Sequence, residues 1–332
     1  MASKRPTMAD VARAAGVSTA LVSIVFRDVP GASESTREHV RATAAEIGFV
    51  PDRRAQKLRQ NRSGIIGVVF ELHQAFHGDI IEHLYPAAKK QGFELQLSAI
   101  TPTRSEAKAV DVLITERCEA VVLMGSRLEP DALEALSKQI PVQVIARDSG
   151  TPKVSSVRVD DSVGAQLALD HLVSLGHKNI VYIDGGDAPG TEARSEVFKA
   201  HVERFKGTAQ IIAGGSSEAA GAAAVSQLLD QGTEATAIIA FNDRVALGVL
   251  DILWQRGVRV PEEVSVVGYD NSSLASLDHI GLTTVAQDSE AIANRAVEVM
   301  VRQISDRAET AEVLTPTLIR RRTTGPYRIF RS

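Results

Sequence analysis

Cysteine is almost absent from this chain, since Cys118 is the only one in 332 residues. A single thiol excludes an internal disulfide, and no Cys/His cluster with metal-ligand spacing and no haem-attachment motif accompanies it. We therefore expect no metal and no cofactor. This cysteine usage suits a reducing cytoplasm, and the polar residues 1–10 lack the apolar stretch of a secretory signal.

Long apolar runs and catalytic motifs are missing as well. No run approaches the roughly 18 residues of a spanning helix, so no membrane partner is predicted. No Gly-x-Gly-x-x-Gly, phosphate loop or nucleophile elbow follows an apolar run. An enzyme stays open as an alternative because four polar side chains cluster near one strand end: His73, His77, Asp79 and Glu82. Such spacing more often marks the polar face of a helix than a metal or catalytic site.

Net charge is small, at −4, but it is unevenly distributed. Residues 1–63 contain 11 Lys and Arg against 6 Asp and Glu, whereas residues 64–332 contain 26 against 35. An acidic body repels phosphates, while basic side chains release the counterions condensed on a polyanion. A nucleic-acid partner is therefore expected at the basic head.

Two helices of the head are predicted from start signals and spacing. Thr7 and Asp10 form a capping box before a helix of residues 8–14, and Ser18 caps the next helix. Gly16 lies between them and is free to adopt the positive φ that a tight turn demands. The spacing is that of a helix-turn-helix. Its predicted core consists of four valines: Val11, Val17, Val22 and Val25.

A third helix is predicted from a capping box of Ser35 and Glu38, and it ends near Gly48. Pro51 then opens a basic stretch, residues 52–62, which we interpret as a linker. The predicted organisation is a headpiece of residues 1–50, a hinge of residues 51–63 and a body of residues 64–332.

The outer face of the second helix is predicted to read DNA, because its N-terminal end is the part that reaches base edges. Thr19 offers a hydrogen bond or a methyl group, whereas Ala20 and Ile24 offer apolar contact to thymine methyl groups. Ser18 and Ser23 share this face. A small bundle that binds protein has the same spacing, so the residues alone leave both functions open.

The body alternates short apolar runs with amphipathic segments, as α/β domains do. Seven runs are predicted as buried parallel strands: Ile65 to Phe70, Phe93 to Leu97, Ala120 to Met124, Val142 to Ala146, Ile180 to Ile183, Ala237 to Phe241 and Val264 to Tyr269. Helices are predicted between them over residues 79–91, 162–175, 218–231 and 244–256. The length allows two lobes.

Polar side chains follow several of these strands, where open parallel sheets bind ligands. They are Glu71, His73, Gln74 and His77 after the first strand, where the aromatic Phe76 accompanies them, Asn242 and Asp243 after the sixth, and Asp270 and Asn271 after the seventh. Each also has an ordinary explanation, because Asn242 or Asp243 can cap a helix and Asp270 can satisfy a turn.

Longer motifs resolve these alternatives. The segment TMADVARAAGVSTALVSIVF, residues 7–26, resembles the headpiece of the lactose-repressor/galactose-repressor family of bacterial regulators, and PDRRAQKLRQNRSGIIGVV, residues 51–69, resembles its hinge and first core strand. HLVSLGHKNIVYIDG, AFNDRVALGVLDIL, PEEVSVVGYDN and LTTVAQD extend the resemblance through the body to about Ile304. It implies a helical headpiece, a two-lobed α/β domain like periplasmic sugar-binding proteins, and an operator-binding repressor controlled by a small molecule, with a sugar favoured.

For DNA, the resemblance implies a homodimer on a near-palindromic operator, with hinge helices in the minor groove. Leu58 matches the family's wedge at a central base step, which is the preferred interpretation; without the matching motif, a staple between domains would be favoured. Leu21, Ile24 and Arg27 depart from the family's Thr, Arg and Asn, so no guanine contact carries over to Ile24 and Arg27 is a candidate phosphate contact. The predicted DNA-binding residues are Thr7, Ser18, Thr19, Ala20, Ser23, Ile24, Arg27, Ala55 and Leu58.

For the effector, the resemblance implies a site between the lobes. Arg194 matches the family's clamping arginine, but Val197 replaces the glycine that precedes Phe198 in the family pattern. A carboxylate with an amide suits vicinal hydroxyls. The predicted ligand-binding residues are Phe76, His77, Arg147, Asp160, Asp161, Arg194, Asn242 and Asp270. A periplasmic sugar-binding protein would explain the body but not the basic head, so we expect a cytoplasmic protein that joins the nucleoid when bound to its operator.

Overall fold

The computed structural model describes residues 6–50, 62–205, 209–306 and 309–327. The chain divides into two compact units, Met1–Ser63 and Gly64–Ser332. Ala55 and Leu58, predicted to contact DNA, lie outside the described residues.

The first unit contains three helices: α1 (Met8–Ala14), α2 (Thr19–Arg27) and α3 (Glu34–Glu46). The capping box of Thr7 and Asp10 is confirmed, and the Ser18 hydroxyl accepts the backbone N–H of Leu21 as predicted. Gly16 has φ +67° in the turn. Val11, Val22 and Val25 are buried, and Val17 packs against them. The small core therefore orients α2 by its buried face and leaves the opposite face accessible.

The capping box predicted at Ser35 and Glu38 is wrong. Ser33 is the N-cap of α3, and its hydroxyl accepts the backbone N–H of Thr36. A capping residue must itself have an extended backbone, and Ser33 has it with ψ 158°, whereas Ser35 already lies inside the helix.

The second unit contains two six-stranded sheets. Its strands are β1 (Ile65–Glu71), β2 (Glu94–Ile100), β3 (Ala120–Met124), β4 (Val142–Ile145), β5 (Ser155–Val159), β6 (Ile180–Ile183), β7 (Ala209–Ile212), β8 (Ala237–Ala240), β9 (Ser265–Asp270), β10 (Thr283–Ala286), β11 (Ala311–Leu314) and β12 (Thr317–Ile319). Its α-helices are α4 (Ala75–Lys90), α5 (Glu106–Thr115), α6 (Pro130–Ser137), α7 (Asp161–Ser174), α8 (Thr191–Phe205), α9 (Glu218–Asp230), α10 (Asp243–Gln255) and α11 (Ser289–Asp306).

Each sheet is the centre of one lobe. The first has the strand order β11-β5-β4-β3-β1-β2 and is parallel throughout. The second has the order β12-β10-β9-β8-β6-β7 and is parallel except for β12. Apolar clusters cover both faces of each sheet, as parallel sheets require. We call these lobe 1 and lobe 2.

The chain passes between the lobes three times: after β5, after β10 and between β11 and β12. The first and third crossings are joined by a hydrogen bond from the Asp160 N–H to the Leu314 carbonyl, 3.0 Å long. Each lobe is thus built from separated pieces of sequence, and the carboxyl ends of strands from both sheets supply the residues of one cleft.

No single described helix is long and apolar enough to cross a membrane. Among the described helices, α1 and α2 would be long and apolar enough only if taken together, and the break between them is bent by 109°.

Candidate functional site

The accessible face of α2 contains most of the predicted DNA-binding residues. Thr19, Ala20 and Arg27 are exposed, and Ser23 and Ile24 are half-buried. Helical periodicity places residues 20, 23, 24 and 27 on one side. Thr7 and Ser18 are exposed at the N-caps of α1 and α2. The headpiece therefore presents a continuous helical surface with few charges.

Ile24 also packs against the loop that follows α2. Its methyl carbons lie 3.5 and 3.6 Å from the position that a Cβ on Gly31 would take. Arg37 anchors the same loop by donating to Asp28 at 3.0 Å and to the Val29 carbonyl at 2.6 Å. Part of the Ile24 side chain thus packs against the loop, and the rest is accessible beside Ala20.

Arg27 differs from the other headpiece arginines. Arg13 pairs with Asp10, and Arg37 and Arg41 both pair with Asp28. Arg27 donates from Nε to the Ser23 carbonyl at 3.1 Å and has no carboxylate partner among the described residues. Its positive charge is therefore not offset locally, which suits a contact with a phosphate.

A cleft lies between the two lobes of the second unit. Lobe 1 contributes Glu71, Gln74, Phe76, His77, Gly125, Arg127 and Ala146. Lobe 2 contributes Ala188, Pro189, Arg194, Ser216, Phe241, Asn242, Asp270 and Gln287. Nearly all of them follow the carboxyl end of a strand, which is where doubly wound sheets bind ligands.

Arg194 is the most heavily engaged cation of the cleft. It is buried; Nε donates to Asp161 at 2.8 Å, and NH1 donates to the Phe241 carbonyl at 2.6 Å. Its guanidinium carbon lies 3.4 Å from the ring centroid of Tyr269 and 4.7 Å from that of Phe241. Burial opposes the charge, but Asp161, Tyr269 and Tyr182 outweigh it and raise the pKa of Arg194. The guanidinium is thus charged and held in one orientation.

His77 is buried at the start of α4, and burial lowers its pKa to about 4. Its Nδ1 accepts the backbone N–H of Glu71 at 3.1 Å. A neutral imidazole that accepts at Nδ1 must carry its proton on Nε2. His77 therefore presents an N–H donor to the cleft at neutral pH.

Asp270 stands at the end of β9 with φ 110°, a conformation that is rare for residues other than glycine and that clusters at ligand sites. Gln287 donates to its Oδ1 at 2.6 Å. Burial, then repulsion by Asp243, raises the pKa of Asp270 to about 8. The raised pKa favours the protonated carboxyl, which offers both a donor and an acceptor.

Asn242 has a structural role as well as a place in the cleft. Its Oδ1 accepts the Val245 N–H at 2.9 Å and so caps α10, while its Nδ2 donates to the Ser216 carbonyl at 3.3 Å. The capping role and the cleft position coexist, because the N-terminus of α10 faces the cleft.

The structure brings together five of the eight predicted ligand-binding residues: Phe76, His77, Arg194, Asn242 and Asp270. The other three do not line the cleft. Asp160 caps α7, and Asp161 forms an ion pair with Arg194. Arg147 donates to the carbonyls of Ser126 and Asp148.

Sequence reasoning missed Arg127, Ser216 and Gln287. Arg127 follows β3 and Gln287 follows β10, so the same rule of polar residues after strands would have found Arg127 had it been applied to Ala120–Met124. No strand was predicted before Ser216 or Gln287, which left both without a signal. The described residues contain no group of three or more His, Cys, Asp or Glu that could hold a metal ion.

Comparison with known proteins agrees with the helical headpiece and with the two-lobed α/β unit. Residues 7–52 match the model of bacterial regulatory proteins of the lacI family, and residues 169–324 match a periplasmic binding protein-like domain. The transcriptional regulator GalR of Escherichia coli is 32% identical, over 95% of this chain and 94% of that protein.

Two solved structures extend this agreement. A LacI transcriptional regulator from a Rhodococcus species is 48% identical with a TM-score of 0.77, covering 79% of this chain and 98% of that one. The lac repressor dimer bound to operator and the anti-inducer ONPF is 28% identical with a TM-score of 0.83, covering 97% of this chain and 100% of that one. The predicted fold class is therefore confirmed. The chain belongs to the lacI family of bacterial regulatory proteins, and it is a DNA-binding transcriptional regulator and not an enzyme.

Proposed function

We propose that this protein is a repressor that binds a near-palindromic operator as a homodimer and changes its operator affinity when a sugar fills the cleft between lobes 1 and 2. The observation that carries the proposal is the combination, in one chain, of an accessible helix-turn-helix face and a cleft at the carboxyl ends of two parallel sheets. The related lac repressor is a dimer that binds both an operator and a small molecule.

The headpiece supports reading of A·T-rich half-sites. Ala20 and the accessible part of Ile24 offer apolar contact to thymine methyl groups, and Thr19 can donate or accept a hydrogen bond. Arg27 contributes a phosphate contact. In the hinge, Ala55 and Leu58 match the family's positions for helix packing and for the wedge at a central base step, and we assign them those roles on the operator. Because its relatives are bacterial DNA-binding regulators, the protein acts in the cytoplasm, and it joins the nucleoid when it is on its operator.

The cleft supports a sugar as effector. Phe76 and Phe241 offer aromatic faces, and Asn242 and Asp270 offer donors and acceptors for vicinal hydroxyls. Two of the five N–H groups of Arg194 are not used by Asp161 or Phe241 and complete the donor set. Sugar binding shifts the population between two arrangements of the lobes and so changes operator affinity. By linkage, operator binding changes sugar affinity by the same factor, and the coupling free energy is typically about 1 to 3 kcal/mol.

A groove on lobe 2 supports the homodimer. Its lining combines apolar residues with charged ones such as Asp251 and Arg322, and the apolar ones include Leu247, Leu250, Trp254, Val258 and Ile280. Trp254 is 80% exposed, although large aromatic side chains are among the residues that interfaces bury most often. A second copy of the chain is the occupant proposed here, because the related lac repressor is a dimer.

The DNA-binding part is tested by selecting duplexes from a random library and measuring affinity against salt. We expect a symmetric duplex to be enriched. Arg27→Gln should weaken binding and reduce the slope of log affinity against log salt by about 0.9 per headpiece, because one phosphate contact is lost. Arg13→Gln is the matched control and should change the slope less, since Asp10 already offsets that charge. No preference for any symmetric duplex would contradict the proposal.

The effector part is tested with a thermal-shift screen of sugars, followed by operator release with each hit. Arg194→Ala and Asp270→Ala should each retain operator binding and lose the response to the sugar. A variant that still responds as the wild type does would remove that residue from the proposed site. Leu58→Ala, measured alongside, should reduce operator bending, and unchanged bending would leave Leu58 with only a linking role.

A further inference from the structure

We propose that the cleft selects an uncharged polyol and rejects phosphorylated or carboxylated sugars, because Asp187 and Glu71 already neutralise Arg127 and Asp161 already neutralises Arg194. The inference rests on the proposed function, since it specifies the chemistry of the effector.

Arg127 carries the inference because it is the more accessible of the two cleft cations. It stands in the loop after β3 of lobe 1, and its NH1 donates to Asp187 of lobe 2 at 2.9 Å. Its NH2 lies 3.5 Å from Glu71 of its own lobe. A guanidinium between two carboxylates gives an incoming anion no net attraction, and the carboxylates repel it. In the absence of this pairing, Arg127 would be the natural partner of a phosphate.

Arg194 offers no unmatched charge either. Both Nε and NH2 lie 2.8 Å from Oδ1 of Asp161, and only 14% of the Asp161 side chain is exposed. The pair is buried together, so an anion would have to displace a carboxylate that has no solvent to enter. The N–H groups of Arg194 that stay available can donate to a hydroxyl, which requires no change in the ion pair.

The other polar groups of the cleft are neutral. His77 is uncharged because burial lowers its pKa to about 4, and it donates from Nε2. Burial and Asp243 raise the pKa of Asp270 to about 8, which favours the uncharged carboxyl at neutral pH. Gln74, Asn242 and Gln287 add amides. The set provides many hydrogen bonds and no surplus positive charge, which matches a ligand that is rich in hydroxyls and carries no charge.

The pairing can be tested without knowing the sugar. Inorganic phosphate is titrated into the full-length protein while binding is followed by calorimetry and by thermal unfolding at constant ionic strength. We expect no saturable binding to the wild type. In the double variant Asp187→Asn, Glu71→Gln, Arg127 loses both partners, and we expect saturable phosphate binding that is at least about tenfold tighter than the weakest binding the titration detects. Adding Arg127→Gln to this double variant should remove the gain.

The matched control is Asp230→Asn, which removes an exposed carboxylate of lobe 2 that pairs with Arg256 at 3.0 Å and does not line the cleft. It changes net charge by the same amount as Asp187→Asn and should bind no phosphate. The side chain of Asp187 is 86% exposed, so the single variant Asp187→Asn is expected to fold and provides a second measurement with a smaller gain.

Two results would overturn the inference. One is saturable binding of phosphate to the wild type that Arg127→Gln abolishes, and the other is a double variant that folds and gains no phosphate affinity. Ribose and glucose, each compared with its phosphate ester, form a further arm, in which a response to an ester alone also contradicts the inference. Operator binding is measured in the same preparations, so a failure of the proposed function is seen separately from a failure of charge selection.

Discussion

His77 shows how the surroundings of one residue set its titration. Burial lowers its pKa from 6.5 to about 4, so the unfolded chain binds a proton in this range that the folded chain does not. The contribution of His77 to stability is therefore complete above pH 6.5 and is lost as the pH falls to about 4, by roughly 3 kcal/mol.

The measurement is the free energy of unfolding against pH for the wild type and for His77→Asn. Asparagine retains an acceptor for the Glu71 N–H, and it does not titrate. We expect the wild type to lose more stability than the variant as the pH is lowered through this range. Parallel curves would show that His77 is protonated in the folded protein.

Asp270 has the opposite linkage, which gives an internal check. The pKa of Asp270 is raised from 3.8 to about 8, so in this range the folded chain binds a proton that the unfolded chain does not. The contribution of Asp270 to stability is therefore complete below pH 3.8 and is lost as the pH rises towards 8. Asp270→Asn mimics the protonated carboxyl. We expect its unfolding free energy to fall less than that of the wild type between pH 5 and 8, and an unchanged slope would contradict the assigned protonation.

At the scale of elements, the N-terminus of α3 shows that the backbone conformation, and not the sequence motif, decides which serine caps the helix. Ser33 caps α3, so Ser33→Ala should lower the stability of the headpiece by about 1 kcal/mol. Ser35→Ala is the matched control two residues further on, and we expect a smaller loss, because Ser35 is inside the helix and loses a hydroxyl contact with Ser33 at 3.1 Å rather than the cap itself. The comparison uses thermal unfolding of the full chain, and a larger loss for Ser35→Ala would restore the predicted capping box.

The strands show why some elements are predictable. All seven apolar runs form strands at or within a few residues of the predicted bounds, because burial on both faces requires continuous apolar sequence. β5 and β10 were not predicted, since Ser155–Val159 and Thr283–Ala286 mix hydroxyl and apolar side chains. The serines and threonines of both strands are buried, and Thr284, for instance, donates to Asp243 at 2.6 Å. Hydrophobic periodicity in the sequence cannot predict that a polar residue is buried when its hydrogen-bond partner lies far along the chain.

At the scale of the whole molecule, Trp254 reports on assembly because it is the only tryptophan. If the groove on lobe 2 is the homodimer interface, dilution through the dimer dissociation constant should shift its emission to longer wavelength as the ring becomes hydrated. Analytical ultracentrifugation over the same concentrations should show the dimer dissociating in parallel.

Trp254→Glu should give a monomer with weakened operator binding, because two headpieces no longer bind together. Val112→Glu is the control: Val112 is also an exposed apolar residue, at 45%, but it lies on α5 of lobe 1 and outside the groove. A Trp254→Glu protein that stays dimeric would place the interface elsewhere.

Sequence alone determined the helix-turn-helix, the α/β body and the family, because these depend on local capping, on apolar runs and on contiguous motifs. The order of strands in two interleaved sheets brought Arg194 to Asp161 and Arg127 to Asp187, pairs separated by 33 and 60 residues. Only the tertiary structure could decide which guanidinium groups are neutralised, because the charge available to a ligand depends on distances in space and not on spacing along the chain.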